Sequence, residues 1–124
     1  MATFDANTLN DLRDRDEVAI RTEKHPTSAV IIWSVVADGE LFVRSVRGAK
    51  GRWYRDLAKG GPATLEFAGR QLAVQATPAT DSAAVDRASR EYLRKYRTSP
   101  YAESIVRPET LPTTLRLEPR PGPR

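Results

Sequence analysis

Hydrophobic positions change their spacing several times along the chain, and each change marks an element. Leu9 and Leu12 lie three apart among acids, arginines and asparagines, which predicts a short amphipathic helix over residues 6–14. Residues 17–22 shift to strand spacing around Val18 and Ile20. The polar turn Glu23-Lys24-His25-Pro26-Thr27 follows. Residues 29–37 are the most apolar run in the chain and rich in Val and Ile, which predicts a single central strand buried on both faces. Asp38-Gly39 is a hairpin signal, because both residues tolerate the positive φ of a tight turn. The partner strand, residues 40–46, alternates Leu41, Val43 and Ser45 on one face with Phe42, Arg44 and Val46 on the other. An arginine sharing an apolar face either snorkels at an edge or is held by an anion.

Residues 52–59 read as a short helix stopped by Gly60-Gly61-Pro62. Strands over 63–67 and 70–77 turn at Ala68-Gly69. The longest helix covers 81–96, capped by Thr80 or Asp81, with Val85, Ala88, Tyr92 and Tyr96 as its apolar stripe. Ser99-Pro100 ends it. A short helix over 101–106 stops before Pro108, and a last strand over 113–118 turns Leu115 and Leu117 inward. Six strands with helices placed late, not in βαβ alternation, predict a mainly-β fold: a small antiparallel barrel with peripheral helices. The expected organisation is an N-terminal helical segment over 1–16, a barrel domain over 17–119 and a disordered tail over 120–124.

Composition narrows the chemistry. The length, 124 residues, suits one domain, and the net charge of +4 permits nucleic-acid binding without implying it. No nucleic-acid partner is expected, because the basic cluster is compact and the longest helix is not uniformly basic. The chain has no cysteine, which excludes disulfides, thiolate nucleophiles and cysteine-held metals. No apolar run reaches membrane-spanning length, and the first residues lack the basic start and apolar stretch of a signal peptide, so a cytoplasmic protein away from membranes is expected. His25 is the one histidine and reads as a solvated turn residue, which leaves a Ser–His–Asp triad without support. Asp11, Asp14, Asp16 and Glu17 alternate with arginines as on a solvated helix face, so no metal is expected. Phosphate-loop and dinucleotide glycine motifs are absent.

One segment carries candidate chemistry. Arg44, Arg47, Lys50, Arg52 and Arg55 follow one another with no acid between them. The segment leaves a hairpin, crosses a turn with Gly48 and Gly51 and enters a helix at Trp53-Tyr54. Guanidinium groups, an ammonium, the Ser45 hydroxyl and free backbone N–H groups in one neighbourhood suit an anion, most naturally a phosphate. The two aromatics would pack the helix or stack on a planar ring.

The order Ser45, Arg47-Gly48-Ala49-Lys50, Trp53-Tyr54-Arg55-Asp56-Leu57, Pro62-Ala63-Thr64-Leu65 resembles the deazaflavin-dependent nitroreductases. More closely, residues 17–119 are similar to an uncharacterised bacterial family, domain of unknown function 2255. The resemblance implies an FMN-binding split barrel, a six-stranded Greek-key barrel working as a homodimer with a phosphorylated flavin-like cofactor between subunits. That cofactor would be FMN or the deazaflavin coenzyme (F-420). Its expected contacts are Arg44, Ser45, Arg47, Gly48, Lys50, Arg52, Trp53 and Tyr54, with Arg21, Thr22 and Lys24 from the neighbouring turn and Ile32 and Trp33 from the central strand. Tyr92, Lys95 and Tyr96 are secondary candidates. The implied activity is a nitroreductase-like oxidoreductase passing a hydride to a small substrate, with no catalytic residue assigned. The alternative is a non-catalytic, dimeric domain that binds a small anion. The chain departs from the nitroreductase pattern at Thr22-Glu23-Lys24-His25-Pro26, where a glycine-rich turn is missing, and at Asp56, where the pattern has Asn.

Overall fold

Alternating apolar residues in seven short strands close into a near-complete antiparallel barrel in the computed structural model of the chain, which describes residues 4–120. The strands are β1 (Val18–Thr22), β2 (Val30–Ile32), β3 (Ser34–Ala37), β4 (Glu40–Val43), β5 (Gly61–Phe67), β6 (Arg70–Pro78) and β7 (Leu115–Pro119). They pair in the order β2-β1-β5-β6-β7-β4-β3. The two end strands of that ladder are neighbours in sequence, separated by Trp33 alone. The chain itself therefore bridges the gap, and neither end is an open edge of the usual kind.

The count of seven corrects the expected six, and Trp33 is the reason. The apolar run does not continue as one strand, because helix α3 (Ser82–Lys95) claims the groups at its middle. The Tyr92 hydroxyl donates to the Trp33 carbonyl at 3.0 Å, and the Ser34 N–H donates to Tyr96 Oη at 3.3 Å. The Trp33 ring stacks on Tyr96 at 4.0 Å between centroids. Before this break the run pairs with β1, and after it with β4.

The Asp38-Gly39 hairpin forms as predicted, with φ of 51° and 76° at the two turn residues. β4 stops at Val43, short of the expected 46. Beyond it the Ser45 N–H leaves the ladder and donates to Thr113 Oγ1 at 3.0 Å. The chain then enters a short 3-10 helix at Gly48–Lys50, whose first residue has φ of 63°. A second 3-10 helix, Ala102–Val106, occupies the segment expected as a short helix.

Two apolar clusters hold the elements. Inside the barrel, Ile20, Leu41, Val43, Leu65, Val74 and Leu117 pack with Leu9 and Leu12 of helix α1 (Ala6–Asp14). Outside it, Ala84, Ala88 and Tyr92 of α3 cover Val35 and Phe42, with Ile105 beside them. Alternation along β4 therefore sends Leu41 and Val43 inward and Phe42 toward α3. Both helices begin at aspartate caps: Asp5 accepts from Thr8 N–H at 2.7 Å and Asp81 from Ala84 N–H at 3.1 Å. The expected tail begins at Arg120, whose N–H donates to the Ala73 carbonyl at 2.9 Å; residues 121–124 lie outside the described residues.

Candidate functional site

The break at Trp33, the end of β4 and the start of helix α2 (Arg52–Leu57) leave a space that no side chain of the described residues fills. It is a pocket of about 670 Å³, within the range that holds a small organic ligand. Val30, Ile31, Ile32, Trp33, Trp53 and Ile105 give it apolar walls. Four large hydrophobic residues are markedly exposed in the described chain, and three of them, Ile31 at 60%, Val46 at 46% and Tyr101 at 70%, line this one pocket. Apolar surface left open at one place marks a binding site more than scattered exposure does.

The polar groups are few and mostly cationic. Arg44 lines the pocket but is only 1% exposed, and its guanidinium is committed to the protein. Nε donates to Thr114 Oγ1 at 2.8 Å, Nη1 to the Ile105 carbonyl at 3.2 Å and Nη2 to the Val85 carbonyl at 2.8 Å. It also lies over the Tyr92 ring at 5.4 Å. Burial pulls its pKa below the ordinary value, and no carboxylate pairs with it among the described residues. Ser45 is equally buried, and its hydroxyl has no hydrogen-bond partner among the described residues. A buried polar atom without a partner costs stability unless something arrives to satisfy it. Arg47, exposed, and Arg52, half-buried, also line the pocket, and neither forms an ion pair among the described residues. Glu17 supplies the one carboxylate of the lining.

The structure divides the other candidates. Ile32 and Trp33 of the β2–β3 run and Trp53 of α2 reach the pocket. Gly48 does not: a Cβ there would press on the Glu109 carbonyl oxygen at 3.2 Å, so its role is close packing within the basic segment. Lys50 is exposed on its 3-10 turn and Tyr54 sits edge-on to Trp53 at 6.4 Å, both outside the lining. Arg21 binds Glu66 at 2.9 Å and Lys24 is exposed. Lys95 and Tyr96 lie in another, smaller cleft beside Asp16 and Thr98, with the Lys95 ammonium donating to the Leu12 and Ser34 carbonyls. Burial brings the Lys95 pKa down to about 8. Tyr92 is wholly buried beneath the barrel wall, and burial pushes its pKa far up.

Sequence reasoning undervalued one constellation. Asp56 Oδ2 accepts from the Thr22 hydroxyl at 2.6 Å and meets His25 Nδ1 at 2.6 Å. Burial alone would raise the Asp56 pKa; the bonds from Thr22 and His25 outweigh it and hold the carboxyl below its ordinary range. His25 is therefore built into the fold and not merely solvated. The sequence signal that could have found it was Asp56 itself, the acid standing where the nitroreductase pattern has Asn.

The fold is an antiparallel, nearly closed barrel with a largely apolar pocket whose lining also holds Arg44, Arg47 and Arg52. The chain belongs to DUF2255, a family of uncharacterized proteins conserved in bacteria, whose model matches residues 8–117. No curated protein matches it. Among solved structures, it is similar to the conserved hypothetical protein Rv2991 from Mycobacterium tuberculosis, with TM-score 0.65 and 13% identity over 98% of this chain and 83% of that one. It is also similar to Campylobacter jejuni ChuZ, with TM-score 0.65 and 9% identity, covering 92% of this chain and 52% of ChuZ. The third is HutZ, the heme storage protein from Vibrio cholerae, with TM-score 0.59 and 11% identity over 94% of this chain and 91% of HutZ.

These findings correct the cofactor expectation. One of the barrels it is similar to, HutZ, is a heme storage protein, which points away from a flavin. FMN and the deazaflavin coenzyme are withdrawn, and with them the oxidoreductase activity, its hydride transfer and its small substrate. The physical reason lies in the basic segment. Its cations do not converge as a phosphate cradle: Arg44 spends its three nitrogen atoms on protein acceptors, Lys50 faces solvent, and the Gly48 backbone is covered by Glu109. What the pocket offers is chiefly apolar wall.

Proposed function

We propose that this domain is a non-catalytic binding protein for a planar, largely apolar ring with acidic side groups, and that the ring is a tetrapyrrole of the heme class. The observation that carries the reading is the unpartnered, buried hydroxyl of Ser45 in the lining of a largely apolar pocket that Arg47 and Arg52 also line. Trp33, Trp53 and Ile31 suit the faces of an aromatic macrocycle. Ser45, Arg47 and Arg52 suit its carboxylates, and the buried charge of Arg44 adds long-range attraction without contact. The likeness to HutZ, a heme storage protein, supports the ligand class.

The donor chemistry fits the ring and its carboxylates better than it fits an iron atom. The lining contains no histidine or methionine, and its anionic-oxygen donors are Tyr101 and Glu17. Binding by ring and carboxylate therefore extends to the metal-free macrocycle. No reaction step follows; the cargo would be held in an apolar space and kept from water.

The test is a fluorescence titration with protoporphyrin IX, the metal-free ring. Saturable one-to-one binding in the micromolar range or tighter is expected. Each of Arg47→Ala and Arg52→Ala should weaken it about tenfold or more, since each removes a charge-assisted contact of about 1.5–3 kcal/mol. Absence of binding overturns the reading.

A further inference from the structure

We infer that Glu17 makes the pocket selective for rings whose carboxylates lie along one edge, and turns away rings that carry them around the whole rim. This rests on the ring-binding reading above and narrows the ligand class of the same site. Charge is segregated around the pocket. Its cations, Arg44, Arg47 and Arg52, come from the single segment that follows β4, and its one carboxylate, Glu17, comes from the chain just before β1. Strand register sets the two apart. Val18 pairs with Ile32 and Ser34 with Val43, so the next position on each ladder puts Glu17 on the β1 side of Trp33 and Arg44 on its β4 side. Beyond Arg44 the chain carries Arg47 off the ladder, beside the Val46 carbonyl that accepts from Arg107 at 3.2 Å. Arg52 opens α2, and its charge acts on Asp56, which bonds Thr22 at the opposite end of β1 from Glu17.

Glu17 is exposed and has no ion-pair partner among the described residues. Glu17 and Trp33 also line the smaller cleft of Lys95 and Tyr96, and Glu17 lines a further cleft with Asp11, Asp14, Arg15 and Asp16. None of the pocket's arginines lines either cleft. Glu17 therefore marks the flank where the pocket meets a mostly acidic surface. Lys95 stands on that flank, but its ammonium already donates to the Leu12 and Ser34 carbonyls. A ligand carboxylate brought to this flank meets a like charge, whereas on the other it meets Arg47 and Arg52. An apolar substituent at the Glu17 flank meets no such repulsion and covers Trp33. Selection of this kind works by repelling the wrong ligand as well as by holding the right one.

The experiment titrates two metal-free rings by fluorescence against the full chain and its Glu17→Gln, Glu17→Lys and Asp14→Asn variants. Protoporphyrin IX carries its carboxylates on one edge. Coproporphyrin III is the same ring with propionates in place of the vinyl groups, so its carboxylates surround the rim. The parent chain should prefer protoporphyrin by about tenfold or more. Glu17→Gln should narrow that preference about fivefold, and Glu17→Lys should narrow it further. Asp14→Asn removes the same charge outside the pocket lining and should leave the preference within about twofold. A parent chain that binds both rings equally, a preference unchanged in Glu17→Gln, or one narrowed as much by Asp14→Asn overturns the assignment while leaving the ring pocket standing. Failure of protoporphyrin to bind the parent chain overturns the pocket reading, and this assignment with it.

Discussion

Replacing Arg44 with Met separates a structural arginine from a ligand contact. Arg44 joins the end of β4 to α3 and to the Ala102–Val106 turn through Thr114, Val85 and Ile105. Met keeps the apolar stem and removes all three donors. Hydrogen bonds from a charged group contribute about 1.5–3 kcal/mol each, so the gross loss is roughly 5–9 kcal/mol. Two terms reduce it. Thr114 Oγ1 also donates to the Leu111 carbonyl at 2.8 Å, and the Ile105 carbonyl also accepts from Thr110 Oγ1 at 2.8 Å, so neither is left bare. Removing a buried guanidinium that has no carboxylate partner also relieves a desolvation cost of several kcal/mol. The net destabilisation is about 2–4 kcal/mol. For a domain of this size that lowers Tm by roughly 10–20 °C. Calorimetry and urea unfolding measure the loss, and protoporphyrin titration of the folded fraction should change by less than about threefold. A variant that keeps the parent Tm but no longer binds would refute the reasoning and make Arg44 a direct ligand contact.

The remaining predictions concern the pocket floor and pH. A Cβ at Gly51 would run into Ser45 Oγ, so Gly51→Ala should rotate that hydroxyl and weaken ring binding. Ser45→Ala should make the Gly51→Ala change nearly neutral for stability, and a double-mutant cycle by urea unfolding should show the coupling. The Lys95 proton leaves the folded chain near pH 8 but stays on the unfolded chain to its ordinary value of 10.5. Across that window the unfolded state binds more protons, so this group makes stability rise with pH. Tyr92 and Tyr96 act oppositely above their ordinary value of 10.0, because burial raises both and the folded chain keeps protons that the unfolded chain loses. These groups together place a stability maximum near pH 10, and Lys95→Met should abolish the rise between about pH 8 and 10 in urea unfolding.

Much of the barrel was legible because its strands alternate cleanly and its hairpin turns carry Asp38-Gly39 and Ala68-Gly69, all four at positive φ. The break at Trp33 was not legible. Nothing local interrupts the apolar run; the interruption comes from Tyr92 and Tyr96, far along the chain on another helix. The same holds at the site. Ser45, Arg47, Arg52, Trp53, Ile32 and Trp33 could be singled out because the basic segment and the central strand are visible as patterns, and they do line one pocket. Ile105 and Tyr101 could not, since their part depends on how the segment around the Ala102–Val106 turn packs beside the end of β4. Arg44 was visible as an anomaly on an apolar face, but the sequence could not say that protein carbonyls and a threonine would hold its guanidinium. His25 illustrates the converse: a lone turn histidine acquires meaning only when Asp56 and Thr22 are brought to it from α2 and β1.

The most direct test of the central claim is protoporphyrin IX fluorescence titrated against the parent chain and against Ser45→Ala combined with Arg47→Ala and Arg52→Ala. The account predicts saturable one-to-one binding by the parent and a loss of a hundredfold or more in the triple variant at near-parental Tm. Parent chain that leaves the fluorescence unchanged, or a triple variant that binds as tightly as the parent, would contradict it.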